Sequence, residues 1–231
     1  SRGIKGKGGD NLSILHELLK DIPVPKMAKV KQTFDDTKLE DVVGTLQQEL
    51  ERVKDLVKPG DEIAVAVGSR GIDRLVDVTR TTVSFLKDLG ATPFIVPSMG
   101  SHGGATGPGQ KAVLEHLGVT EESVGAEIRS SMDVIKIGEL PNGLPVYIDK
   151  YASEADGIVV INRVKPHTAF RGKVESGIMK MISIGLGKQK GAEACHQLGF
   201  KHMAEHVPAM AKMTIEKMPI IFAVATVENA F

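Results

Sequence analysis

Two kinds of apolar pattern alternate along this chain. Leu12, Leu15, His16 and Leu19 fall at helical spacing, so residues 11–19 read as a short helix. A longer amphipathic pattern over 39–57 stops at Lys58-Pro59-Gly60, a proline–glycine pair that cannot continue a helix. Residues 62–67, Glu-Ile-Ala-Val-Ala-Val, instead form an unbroken apolar run ending in Gly68-Ser69-Arg70-Gly71, as a strand buried on both faces does. The same alternation follows: a helix over 72–89 closing at Gly90, a strand over 92–97, a Gly- and Ser-rich loop over 98–109, and a helix over 109–117. Strands over 134–137 and 146–148 flank the turn Pro141-Asn142-Gly143, and a buried strand over 157–161 opens into a loop over 162–172. Residues 174–217 read as mostly helical, interrupted by Gly185, Gly187, Gly191 and Gly199, and a strongly apolar strand over 219–227 comes last.

Strands separated by helices of this length imply βαβ units. The fold class is therefore α/β, a mostly parallel sheet with helices on both faces in a Rossmann-like three-layer arrangement. In such sheets ligands bind outside the carboxyl ends of the strands. Three of the strands each open into a loop that carries glycine and a catalytic type of side chain: Ser69-Arg70, Ser101-His102 and Pro166-His167. A parallel sheet brings those loops to one edge.

Composition narrows the function. Lys plus Arg equals Asp plus Glu at 29 each, which argues against a dedicated nucleic-acid or membrane-surface binder. Tryptophan is absent and there are two tyrosines, so base-stacking platforms are not expected. The single cysteine, Cys195, cannot form an intrachain disulfide, and no long apolar span or hydrophobic signal core is present. A cytoplasmic location is the expectation. Residues 1–10 are rich in Gly and Lys and are expected to be disordered.

The seven histidines differ in context. His16 and His116 lie inside amphipathic helices and read as structural or solvent-facing. His102 sits in Ser98-Met99-Gly100-Ser101-His102-Gly103-Gly104, where glycines let the backbone approach a ligand. His167 follows the stiffening Pro166 and is ringed by Arg163, Lys165 and Arg171. That basic rim suits an anionic substrate and lowers an imidazole pKa, keeping the ring available as a base. Lys180 stands alone between Ile178-Met179 and Met181-Ile182. In apolar surroundings a lysine becomes a usable nucleophile, although snorkelling from a half-buried helix explains the pattern equally well. His202 and His206 stand at chelating spacing but lack the glutamate of a zinc-protease helix. The Gly-rich segments match neither a Walker nor a dinucleotide pattern.

In order and spacing, Ser69-Arg70, Gly100-Ser101-His102-Gly103-Gly104, Lys165-Pro166-His167 and the pair Lys180 and His196 resemble the nickel-dependent lactate racemases, over residues 22–231. That resemblance implies a racemase or epimerase of a small 2-hydroxy acid, working by proton and hydride transfer through a 2-oxo intermediate. It implies a nickel-pincer nucleotide tethered to Lys180, with Lys173 or Lys188 as fallback tethers, and His196 as a nickel ligand. His102 and His167 would be the acid/base pair. Arg70 would hold the substrate carboxylate or the cofactor phosphate, with Ser69 assisting. Proteins that make the cofactor are implied partners, besides the small anionic substrate.

Residues 11–231 then form the N-terminal lobe of a two-domain enzyme. The second domain, which closes the cleft in this family, lies outside the chain, so a fragment that binds without turnover is expected. Two other readings stay open on the residues alone. One is a metal hydrolase or lyase using His196, His202 and His206. The other is a non-catalytic domain that binds a small anion or nucleotide through Arg70, the Gly100 loop and Arg163.

Overall fold

The computed structural model describes residues 10–23, 25–168, 170–197 and 199–230, and the chain divides into two compact units, Ser1–Asp35 and Asp36–Phe231. The first unit holds α1 (Asp10–Leu19) and an extended segment after it. The disorder expected for residues 1–10 falls on 1–9, which lie outside the described residues, while Asp10 opens α1.

The second unit begins with α2 (Val42–Glu51). Asp41 caps it by accepting from the Gly44 N–H at 2.8 Å. This helix is shorter than the 39–57 pattern, because the chain tightens into a 3-10 turn over Lys54–Leu56 before Pro59. The first βαβ unit follows, made of β1 (Glu62–Val67), α3 (Leu75–Asp88) and β2 (Thr92–Pro97). Helix α4 (Gly107–His116) starts where Thr106 accepts from Gly109 N–H at 3.1 Å, with Pro108 in its first turn. A short α5 (Glu121–Val124) is opened by a Thr120–Ser123 capping box. Strands β3 (Val134–Glu139) and β4 (Pro145–Asp149) pair antiparallel as a separate two-stranded sheet. Next come α6 (Lys150–Glu154) and β5 (Gly157–Arg163).

The helical stretch expected over 174–217 is broken up. Helix α7 (Ile178–Lys180) runs into a π-helical turn, Met181–Gly185, and α8 (Lys188–His196) and α9 (Met203–Lys217) follow separately. The glycines explain the break. A Cβ on Gly185 would sit 2.8 Å from the Ser98 carbonyl oxygen, so this turn presses directly on the loop after β2. Strand β6 (Ile220–Thr226) ends the element order.

The main sheet has the order β2-β1-β5-β6 with every pair parallel, and Val67 is level with Pro97 on one side and Ile161 on the other. Segment 127–129 covers the free edge of β2: Ile95 N–H donates to Glu127 C=O at 2.7 Å, and Arg129 N–H to Ile95 C=O at 2.9 Å.

Alternate residues feed two cores. Ile63, Val65 and Val67 pack with α3, α4 and α5 on one face. Ala64 and Ala66 face α6, α9 and the π turn on the other, where their small size admits Met181 and Ile182. Full burial of one Ile or Val contributes about 1.5–3 kcal/mol. A carboxylate at Val65 would therefore forfeit that gain and add an unpaired buried charge. Helices thus cover both faces, giving the three-layer α/β fold. Among the described residues, no helix is long and apolar enough to cross a membrane.

Candidate active site

Because β1, β2 and β5 are parallel, the loops after Val67, Pro97 and Arg163 leave the sheet at one edge. From β1 the chain crosses to β2 on one side, and β5 lies on the other. The topological switch point, where such sheets hold ligands, is therefore between β1 and β5.

Ser69 follows β1, and its Oγ lies 2.5 Å from His102 Nδ1 on the loop after β2. That loop turns through Gly100 and Gly103, at φ +63° and +66°. A Cβ on Gly103 would meet the backbone of Gly109 and Gln110 at 2.6 Å, so this position needs glycine. His102 stands at the surface. Partial burial of its ring, then the charges of Arg70 and Lys180, hold its pKa below the ordinary histidine value.

The third loop is folded around Glu175. One carboxylate oxygen accepts from His167 N–H at 2.8 Å and the other from Gly172 N–H at 3.1 Å. The His167 ring stacks on Phe170 with centroids 4.3 Å apart. Its Nε2 lies 3.2 Å from Lys180 Nζ. Burial, then Lys180 and Lys165, lower the His167 pKa against the opposing charge of Glu175. Lys180 is half-buried, and burial, then Arg70 and Lys165, push its pKa down, favouring the free amine.

Five of the six residues singled out from the sequence therefore meet here: Ser69, Arg70, His102, His167 and Lys180. The sixth, His196, ends α8 with an exposed side chain. Its neighbour Cys195 is buried, 3.4 Å from the Met203 sulfur. Burial raises its thiol pKa to about 11 despite the charge of Lys180.

The fallback tethers lie elsewhere: Lys173 is exposed, and Lys188 is fully buried in an ion pair with Asp149. The His202 and His206 rings stack at 5.7 Å, and His206 Nε2 faces the Asn142 amide nitrogen at 3.1 Å rather than a shared metal position. Among the described residues, no three His, Cys, Asp or Glu side chains converge as a metal cage. His16 and His116 are exposed on α1 and α4. A cleft of about 980 Å³ between α2 and β6 is lined by none of these groups.

Gln110, which sits behind the His102 loop, carries no local sequence signal, and neither do the two backbone bonds that Glu175 makes. Asp149 did leave a signal, because an acid at the end of a strand is a natural helix cap, and it caps α6 through Ala152 N–H at 2.9 Å.

The model of the lactate racemase N-terminal domain matches residues 9–207. The lactate racemase apoprotein of Thermoanaerobacterium thermosaccharolyticum has the same fold, with a TM-score of 0.52 and 18% identity over 79% of this chain. The chain spans 48% of that protein's length. No curated protein matches the sequence. With the family model matching most of its length, the chain belongs to the lactate racemase N-terminal domain family.

Proposed function

We propose that this chain is the acid/base lobe of an isomerase that inverts C2 of a small 2-hydroxy acid. One observation carries the reading. Two imidazoles biased toward the neutral form stand on different loops at one sheet edge, His102 against Ser69 and His167 against Lys180, with Arg70 and Lys165 supplying positive charge.

Inversion needs a group to take the hydroxyl proton on one face and a second to return it on the other. His102, with Nδ1 engaged by Ser69, leaves Nε2 for that proton. His167 occupies the facing role. Its Nε2 also lies within hydrogen-bond reach of Lys180 Nζ, at 3.2 Å. Arg70 and Lys165 would neutralise the substrate carboxylate, which places the hydroxyl between the rings.

The side chains suit the nickel-pincer nucleotide of the family. Lys180 is half-buried, burial and the charges of Arg70 and Lys165 lower its pKa, and those two cations could meet a phosphate. Lys180 would hold the group covalently, His196 would ligate its nickel, and Arg70 would meet its phosphate or the substrate. When bound, the group supplies the acceptor for the C2 hydrogen, a role no side chain here can fill. The proteins that assemble it are then partners of this chain.

The test is intact-mass and nickel analysis of the protein co-expressed with the cofactor-making proteins. An added mass that maps to Lys180 and vanishes in Lys180→Ala is expected. An unmodified, metal-free chain under those conditions overturns the reading and leaves a small-anion-binding domain.

A further inference from the structure

Behind the His102 loop runs a buried polar chain that no step above uses. Lys188 and Asp149 are both 0% exposed, with Nζ 3.2 Å from Oδ2. The same ammonium donates to Gln110 Oε1 at 3.0 Å and to the Pro97 carbonyl. Gln110, also 0% exposed, donates through Nε2 to the carbonyls of Gly100 at 2.8 Å and His102 at 3.1 Å. An ammonium only donates and a carbonyl only accepts, so the Gln110 amide has a single satisfied orientation.

Stability alone does not account for this arrangement. A buried ion pair is often no more stabilising than apolar side chains of the same volume. Lys188 also adopts φ +53°, a left-handed conformation that a lysine avoids unless its surroundings over-determine it. Those surroundings join two parts of the site. Lys188 opens α8 just beyond the π turn that follows Lys180, while Gln110 lies in α4 beneath His102. The two backbones also touch directly, through Gly100 N–H to the Gly185 carbonyl at 3.3 Å.

We propose that Lys188, Asp149 and Gln110 are positioning residues that lock the His102 loop in register with the Lys180 turn. The inference rests on the functional reading above only in treating His102 as a reacting group. Burial pulls Asp149 and Lys188 toward their neutral forms, and their mutual attraction opposes this. Among the described residues, Asp149 Oδ2 has no hydrogen-bond partner beyond this 3.2 Å ion-pair contact, so the carboxylate depends on Lys188.

Gln110→Met keeps the volume and removes both donors to the loop. In the 231-residue chain without cofactor, hydrogen exchange at the Gly100, His102 and Ala105 amides is expected to accelerate by about tenfold or more. Amides of β1 and β5 should not change. In the same variant His102 should titrate closer to the ordinary histidine value while His167 stays where it is, a split that general destabilisation would not produce.

Unchanged exchange at those three amides in a folded variant overturns the proposal. The paired substitution Asp149→Leu with Lys188→Met, which leaves no charge orphaned, serves if Gln110→Met does not fold. Retained protection there overturns it equally. In the cofactor-loaded isomerase that carries this lobe, kcat for Gln110→Met should fall by about 10–100-fold with KM within about twofold. A wild-type protein without an adduct on Lys180 would sink the racemase reading and leave the loop measurement standing, so the two failures are distinguishable.

Discussion

The two imidazoles of the site share their electrostatics and differ in their support. Burial comes first in lowering both pKa values, and Lys180 acts on both. Behind His102, however, lie three side chains at 0% exposure that hold one another and two loop carbonyls. Behind His167 stand Glu175, 16% exposed, and its ion-pair partner Arg171, which is 74% exposed at 3.7 Å and also donates to the His167 and Phe170 carbonyls. Reactivity is therefore set in common by a few cations, while position is set locally and unequally. A loop held by few, accessible contacts opens at lower cost than one tied into the core. The His167 side is thus the adaptable half of the site, and the His102 side is the fixed one.

The largest effects should fall equally on the two halves. His102→Gln and His167→Gln should each lower racemisation by the loaded isomerase that carries this lobe by about 10²–10⁴-fold. In each variant the loss must be the same in both directions, because a catalyst cannot shift the equilibrium between enantiomers. Polarimetry from either enantiomer measures this. A variant that keeps more than a tenth of the wild-type rate would remove that histidine from the acid/base pair.

Next in size is a stability effect confined to the fixed half. Asp149→Ala leaves Lys188 buried without its counter-ion and should destabilise the chain by about 3–5 kcal/mol. The paired Asp149→Leu, Lys188→Met substitution should recover most of it. Urea unfolding followed by circular dichroism compares the three proteins. A single variant within about 1 kcal/mol of wild type would mean that the pair is not dry, and the contrast between the halves would collapse.

These predictions also mark where the sequence was legible. The strands were readable because unbroken runs such as Ile63–Val67 and Gly157–Ile161 have few other uses in a chain of this composition. Lys180 stood out as one charge in an apolar segment, and the three loops followed from strand direction alone. The buried chain behind His102 was hidden because its members are far apart in sequence. Lys188 meets Gln110 across 78 positions, and nothing local to either residue names the other. Lys188 in particular reads as a fallback tether, because the segment from His167 to Lys180 is longer than the family resemblance implies and carries Glu175. The π turn was hidden for a related reason. Gly185 reads as a helix interruption until the Ser98 carbonyl is seen pressing against it.

A smaller effect depends on pH. Both imidazoles have folded pKa values below the unfolded one of about 6.5. Between those values the unfolded chain binds more protons than the folded one, so stability rises with pH across that window. It is fully present above about pH 6.5 and is lost as pH falls through the folded values. Urea midpoints measured from pH 7.5 to 5 should decline, and the decline should be shallower in the two His→Gln variants. Equal slopes in all three proteins would show that neither ring is desolvated in solution.

The smallest effect tests the adaptable half by what it tolerates. Glu175 keeps its two backbone donors whether or not Arg171 is present, and the Arg171 side chain is mostly in water. An exposed pair at that distance is screened and carries little weight, and the bonds that Arg171 donates to the His167 and Phe170 carbonyls can be replaced by water. Arg171→Ala should therefore change racemisation by less than about twofold and leave the His167 titration nearly unmoved. Glu175→Gln should do more, since an amide nitrogen replaces one of the two oxygens that the His167 and Gly172 N–H groups need. If Arg171→Ala proved as harmful as Glu175→Gln, the loop would be held by the exposed Arg171, through its charge and its bonds to the His167 and Phe170 carbonyls, as much as by Glu175. Its support would then weaken with salt, which the buried chain behind His102 should not do.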